Sequence, residues 1–480
     1  MKYIPRLIFW ETTKGCNLRC LHCRAIPEMM TSREDLSTEE GLGLIDQIVE
    51  FSNPILILSG GEPLFRKDIF DIAEYGIKRG LRLSLATNGT MIDKDMAKKI
   101  RDIGFARVSI SFDGAKAETH DRFRSIPGSF KAAIEGIKNL IELGISAQIN
   151  TTIAKHNYKE LPEILDLALE LGVDALHTFL LVPVGCGVDI AEDQMVSADE
   201  YEKILHWFYD QSKLHSIDLK ATCAPHYFRV RAERILSEKK AGLKPTPFIP
   251  HGTQLKAGHV DKVTTPPHPP TSPQPSPRGR GREGQGERGH GLSAMTKGCL
   301  AGTGVCFVSH KGEVFPCGYL PAKAGDIRKE RFQDIWNNSL VFKNLRNPDL
   351  LQGKCGVCEF KHICEGCRAR AYSATGNYLS EEPFCAYEPS VPTQSMGTSN
   401  VGQGFSLAEV ESAHTEAEGV MPELSLSWSQ DAKDAVMKIP FFVRKKAVKS
   451  IEDYARGRNI AMINIEVVQE VRGLKGGERV

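Results

Sequence analysis

Between about residues 6 and 215, short apolar runs alternate with longer segments of helical period, and this alternation constrains the fold more than any other feature of the chain. The runs are Leu7–Glu11, Ile55–Ser59, Arg82–Thr87, Arg107–Ser111, Ala147–Ile153 and residues 175–181. Residues 37–50, 93–103, 130–143 and 158–171 carry apolar side chains at the spacing of one helix face. Strands alternating with helices imply parallel βαβ units, because parallel neighbours need a crossover long enough to hold a helix. A closed eight-unit barrel takes about 250 residues, whereas the six units here occupy roughly 210. The expected fold class is α/β, a partial (β/α)6 TIM-type barrel over residues 1–240. Its ligands should gather at the C-terminal ends of the strands.

The rest of the chain divides by composition. Residues 241–294 form a low-complexity insertion, and from 264 to 291 there is no aliphatic, aromatic or cysteine residue. Such a segment cannot bury enough surface to fold and is expected to be disordered. Residues 295–388 are rich in cysteine and poor in apolar side chains, 389–422 read as a polar linker, and 423–480 as a small helical module. Lysine and arginine (61) nearly cancel aspartate and glutamate (60), so no global field points to nucleic acid. The first ten residues are too interrupted for a signal peptide, and no apolar run is long enough to span a membrane. A cytoplasmic location is expected.

Thirteen cysteines are many for a reducing compartment, where such a set binds metal rather than forming disulfides. Cys16, Cys20 and Cys23 follow the first strand in C-x3-C-x2-C spacing, eight more lie between Cys299 and Cys385, and Cys186 and Cys223 stand apart. A structural zinc site takes four protein ligands, and the N-terminal trio has no fourth cysteine nearby. Three thiolates on a cubane cluster leave one iron open to an exchangeable ligand. Cys299, Cys306, Cys317, Cys355, Cys358, Cys364, Cys367 and Cys385 are enough to ligate two four-iron clusters fully, although C-x2-C pairs also make zinc sites.

The N-terminal spacing, with the ring of His22 before the last cysteine, resembles the signature of the radical S-adenosylmethionine (SAM) superfamily. Ser59-Gly60-Gly61-Glu62-Pro63, at the end of the second strand, resembles the segment that binds the SAM amino group, with glycines that admit a close backbone. Asn88 ends the third strand, Ser111 and Asp113 the fourth, and Asn150 lies on the fifth; the resemblance places them around SAM, with Arg124 as partner of its carboxylate. It implies a 4Fe-4S cluster that cleaves SAM to a 5′-deoxyadenosyl radical, with a low-potential electron donor such as flavodoxin or ferredoxin. Gly312-x4-Cys317 and the C-x2-C-x5-C-x2-C run resemble the SPASM extension that binds auxiliary clusters. By that likeness, Cys299, Cys306, Cys317 and Cys367 hold one cluster, and Cys355, Cys358, Cys364 and Cys385 the other.

More narrowly, residues 5–11, 180–187, 221–227 and 296–306 resemble the iron-coproporphyrin III decarboxylases, or heme b synthases, of the siroheme-dependent pathway. The resemblance implies oxidative decarboxylation of two propionates of iron-coproporphyrin III to vinyl groups. In that setting His226 or Cys223 is expected at the porphyrin iron, and Arg229 or Arg231 at a propionate. Trp428 onward resembles the C-terminal domain of light-independent protochlorophyllide reductase subunits. Three rivals remain: a SPASM enzyme acting on a peptide, a deacetylase of didecarboxysiroheme, and a zinc-bearing binding protein whose basic residues 438–458 meet nucleic acid.

Overall fold

The computed structural model describes residues 3–243 except 26 and 29–31, residues 298–390, and residues 424–476 except 438–440 and 459. Apart from their first few residues, the expected insertion (241–294) and linker (389–422) lie outside the described residues.

All six expected strands are present: β1 (Leu7–Glu11), β2 (Ile55–Ser59), β3 (Arg82–Thr87), β4 (Arg107–Ser111), β5 (Ala147–Ile153) and β6 (Ala175–Leu180). They lie parallel and in sequence order. A seventh parallel strand, β7 (Asp218–Thr222), extends this series beside β6 and was not expected. Leu219 and Ala221 are its two apolar residues, and unlike the β-branched Val108 and Ile110 of β4 neither favours a strand.

The cysteine-rich unit does not stand apart from the barrel. Its first strand, β8 (Val305–Val308), pairs in parallel with β1, matching Leu7 to Val305 and Ile8 to Cys306. The antiparallel strands β9 (Glu313–Phe315) and β10 (Gly325–Asp326) complete one ten-stranded sheet. Val308, Val314, Phe332, Trp336 and Phe342 pack into the same apolar core as Ile8 and Trp10 of β1. A segment too poor in apolar residues to build a core of its own thus borrows the barrel's.

Local chemistry fixes the helices that cover the sheet. Ser37 and Glu40 form a capping box at the start of helix Thr38–Phe51, and Ser197 and Glu200 do the same for helix Ala198–Leu214. Inside the first of these helices, Gly41 gives up about 1 kcal/mol of helix propensity relative to alanine. The reason is contact: a Cβ there would stand 2.6 Å from the Trp10 ring, so the glycine lets the helix settle on β1.

The C-terminal module consists of helices Gln430–Met437, Phe441–Gly457 and Ile465–Gly476 with a short parallel pair, Ser427–Trp428 and Met462–Ile463. It has its own small core, in which Trp428 packs with Val436, Val448, Ile451 and Ile463. Among the described residues no helix is long and apolar enough to cross a membrane.

Candidate active site

The loop after β1 carries Cys16, Cys20 and Cys23 and is fastened to its neighbours by backbone. Thr12 N donates to Ser59 O (2.8 Å), Gly61 N to Thr13 O (2.8 Å), and Glu62 N to Gly15 O (2.8 Å). This lattice explains the paired glycines. A Cβ on Gly60 would stand 2.7 Å from Thr13 O, and one on Gly61 2.3 Å from Gly15 O. Both glycines also line the adjoining cavity, but the close approach they permit is to the cysteine loop itself.

The three thiols suit a cationic group. Burial pushes the Cys16 thiol up to about 12, and burial likewise raises Cys20 and Cys23. Thiolates there need compensating charge, which iron supplies. Donors already surround the sulfurs: Leu18 N reaches Cys16 Sγ at 3.3 Å, and Arg124 Nη1 reaches Cys20 Sγ at 3.5 Å. Among the described residues no three His, Cys, Asp or Glu side chains converge on a point where one ion could sit. A cubane asks for something else, one thiolate at each of several corners, and the trio bounds a hollow accordingly.

Beneath the loop, Asp113 is fully buried and pairs with Arg124 at 2.6 Å and with His22 at 3.4 Å. Burial pushes the Asp113 carboxyl up, but its surroundings, the Arg124 guanidinium foremost, outweigh this and hold it below the usual carboxylate range. His22 stacks on Phe123 at 4.1 Å, and burial takes its pKa down to about 3, so the ring is neutral. Asp113 therefore acts through Arg124 and His22 and does not line the cavity.

Glu62 is likewise an organiser. It accepts from Thr87 Oγ1 (2.8 Å), Asn88 N (2.7 Å) and Leu64 N (3.1 Å), and burial pushes its carboxyl up to about 7. Its side chain bolts the end of β3 to the cysteine loop and is absent from the cavity wall, where SAM contact was expected. Asn88, Ser111, Arg124 and Asn150 do line the cavity beside the three cysteines.

That cavity, of about 370 Å³, also receives the second cysteine group. Cys223, Cys299, Cys317 and Cys367 all face it. Cys306 does not: it is fully buried in the barrel core beside Ile8. The remaining four, Cys355, Cys358, Cys364 and Cys385, line a smaller hollow. There Glu382 N reaches Cys355 Sγ (3.3 Å), Phe360 N reaches Cys358 Sγ (3.4 Å) and Gly366 N reaches Cys364 Sγ (3.4 Å), the charge-damping contacts a thiolate-ligated cluster requires.

Two expected substrate contacts sit elsewhere. His226 is fully buried with neither ring nitrogen hydrogen-bonded, and it lines the smaller hollow instead of the large cavity. Arg229 is committed to Glu202 (2.5 Å) and Glu233 (2.7 Å) and lies over the Tyr387 ring. Neither Arg229 nor Arg231 reaches the cavity wall. Glu202 lies on the preceding helix, 27 residues from Arg229, so no local spacing ties the two together.

Sequence reasoning also missed Lys220 on β7, which lines the large cavity. The other cations there are engaged. Arg24 pairs with Glu11 at 3.0 Å, Arg124 with Asp113, and Arg368 donates to Tyr378 O and Ser380 O. Burial pushes the Glu11 carboxyl up, yet Arg24 and His310 bring its pKa down to about 2, so this pair is firmly charged. Burial draws Lys220 below the usual lysine range, and the Asp218 carboxylate on the same strand only partly offsets this.

A barrel whose first loop presents three thiols to a cavity, joined to a unit bearing further groups of thiols, defines an iron–sulfur enzyme of the SAM-cleaving class. Comparison with known proteins agrees. Residues 10–168 match the radical SAM superfamily, residues 299–368 the iron-sulfur cluster-binding SPASM domain, and residues 428–472 the protochlorophyllide reductase 57 kD subunit. An AdoMet-dependent heme synthase of Methanosarcina barkeri is 48% identical over 81% of this chain and 98% of that protein. One from Oleidesulfovibrio alaskensis is 41% identical over 80% and 88%, and an Fe-coproporphyrin III synthase of M. barkeri is 30% identical over 79% and 87%. Streptococcus suis SuiB with bound S-adenosylmethionine shares the fold with a TM-score of 0.57 at 15% identity, covering 80% of this chain and 78% of that one. The chain belongs to the radical SAM family of these heme synthases and is an enzyme of heme biosynthesis that uses a 4Fe-4S cluster, SAM and auxiliary iron–sulfur clusters.

Proposed function

We propose that the chain converts two propionate side chains of iron-coproporphyrin III to vinyl groups, giving heme b. The observation that carries this reading is a single cavity bordered by both the N-terminal thiol trio and a second set of thiols. Each conversion removes one hydrogen atom and one electron and releases carbon dioxide, so a hydrogen acceptor and an electron acceptor must both lie within reach of the substrate. When bound, SAM on its cluster supplies the hydrogen-abstracting radical, and an auxiliary cluster supplies a one-electron sink.

The protein's own groups then have definite tasks. Cys16, Cys20 and Cys23 hold the first cluster, with Arg124 and Asn88 beside it. Lys220 offers its ammonium to a substrate carboxylate. Leu7, Phe9, Phe179, Leu180 and Phe307 supply an apolar wall that excludes water from a reactive radical. A low-potential donor such as flavodoxin or ferredoxin would reduce the first cluster.

Anaerobic incubation with reductant, SAM and iron-coproporphyrin III, followed by chromatography and mass detection, tests this. Stepwise loss of two carboxyl groups through a monovinyl intermediate is expected. Untouched porphyrin in a reaction that does form 5′-deoxyadenosine refutes the substrate, and a parallel incubation with didecarboxysiroheme measures the rival directly.

A further inference from the structure

We infer that Cys223, from the barrel, is the fourth thiolate of the auxiliary cluster held by Cys299, Cys317 and Cys367, and that Cys306 is a core residue and no ligand. The inference rests on the chain being a cluster-bearing radical SAM enzyme and is independent of which substrate it takes.

The argument begins with strand geometry. Side chains alternate between the two faces of a strand. On β8, Val305 and Phe307 line the large cavity, so Cys306 and Val308, between and after them, project from the other face. Both are fully buried in the apolar core with Ile8. Among the described residues, Arg346 is the charged group that bears on Cys306, and no other cysteine does. A one-residue shift of register would be needed to bring its sulfur to the cavity, and the pairing of Leu7 with Val305 through Trp10 with Val308 fixes that register.

Cys223 has the opposite surroundings. It packs in one group with Cys299, Cys317 and Cys367, and the charges of those three thiols all bear on it. The four come from four separate places: the end of β7, the approach to β8, the residue two past β9, and the N-cap of helix Arg368–Thr375. Thiols so far apart in sequence meet only where the fold brings them together. Cys223 also holds a left-handed backbone conformation, with φ at 55°. A non-glycine residue there costs of order 1 kcal/mol or more, and such strain is retained where a side chain must be aimed. At the end of β7 it turns Cys223 to the cavity.

The test is made on the full chain carrying Cys16→Ala, Cys20→Ala and Cys23→Ala, so that only auxiliary clusters remain after anaerobic reconstitution. Iron and sulfide are counted, and the reduced protein is examined by electron paramagnetic resonance. Cys223→Ala is expected to lose about four irons per chain, or to keep a three-thiolate cluster with an altered signal that a small added thiol restores. Cys223→Ser, which leaves an oxygen donor in place, shifts the same signal without unfolding the site. Cys306→Val is expected to retain both the iron and the signal. Unchanged iron and an unchanged signal in both Cys223 variants overturns the inference. So does loss of a cluster from Cys306→Val and from the smaller Cys306→Ala while circular dichroism shows the fold intact.

Discussion

Replacing Lys220 by methionine keeps the length and apolar stem of the side chain and removes only its charge. In the free enzyme this ammonium lines the cavity, and burial lowers its pKa by more than the Asp218 carboxylate raises it. A substrate carboxylate that meets it would form a charge-assisted hydrogen bond, worth about 1.5–3 kcal/mol. Its loss should weaken binding roughly 12- to 150-fold, at about 1.4 kcal/mol per factor of ten. Titration of the Soret band with iron-coproporphyrin III under anaerobic conditions measures this directly. SAM cleavage in the absence of porphyrin should be unaffected, because Lys220 is not among the groups around the first cluster. The sign of the pH dependence follows from the same contact. Binding requires the protonated amine, so affinity should fall as pH rises through the lowered pKa of the free enzyme, and the methionine variant should lack that fall. Binding within twofold of the parent, or a pH profile identical to it, would refute the assignment.

Two further outcomes follow from packing. Gly61→Ala places a Cβ 2.3 Å from Gly15 O, backbone against backbone, and should displace the cysteine loop; iron bound by the first cluster and 5′-deoxyadenosine formation should fall together, while the auxiliary clusters stay loaded. Glu382 and Arg370 form a buried pair with contacts of 2.9 and 3.0 Å, and Glu382 also accepts from Cys367 N at 2.7 Å. Glu382→Leu strands a buried cation at a cost of about 3–5 kcal/mol, whereas Glu382→Leu combined with Arg370→Met should recover much of that; thermal inactivation of cluster-loaded protein reads both.

Ile55–Ser59 could be read from sequence as a nearly continuous apolar run, and Arg82–Thr87 and Arg107–Ser111 from apolar residues alternating with polar ones. Asp218–Thr222 stayed hidden because it ends at a cavity and carries polar residues there, Lys220 and Thr222 among them. The cysteines announced their chemistry by spacing, yet spacing does not say which face of a strand a residue takes. That is why Cys306 reads as a ligand and Cys223 as an outlier until β8 is seen. Glu62, Asp113 and Arg124 were recognisable as a set near SAM, but their bonds join separate segments: Glu62 to Asn88 at the end of β3, and Asp113 after β4 to Arg124 on the following helix. Arg229 was misread for a similar reason: its two carboxylates, Glu202 and Glu233, lie on separate helices.

The partner of β1 on its outer side is β8, which begins at residue 305. On a translating ribosome, which adds about 5–20 residues each second, the leading strand would wait roughly 15–60 s for that neighbour to emerge. Until then its backbone amides and carbonyls on one flank have no ladder to join, and such a flank invites the wrong neighbour. The sheet that cradles the cysteine loop therefore closes late in synthesis, and cofactor loading on a finished site belongs after it.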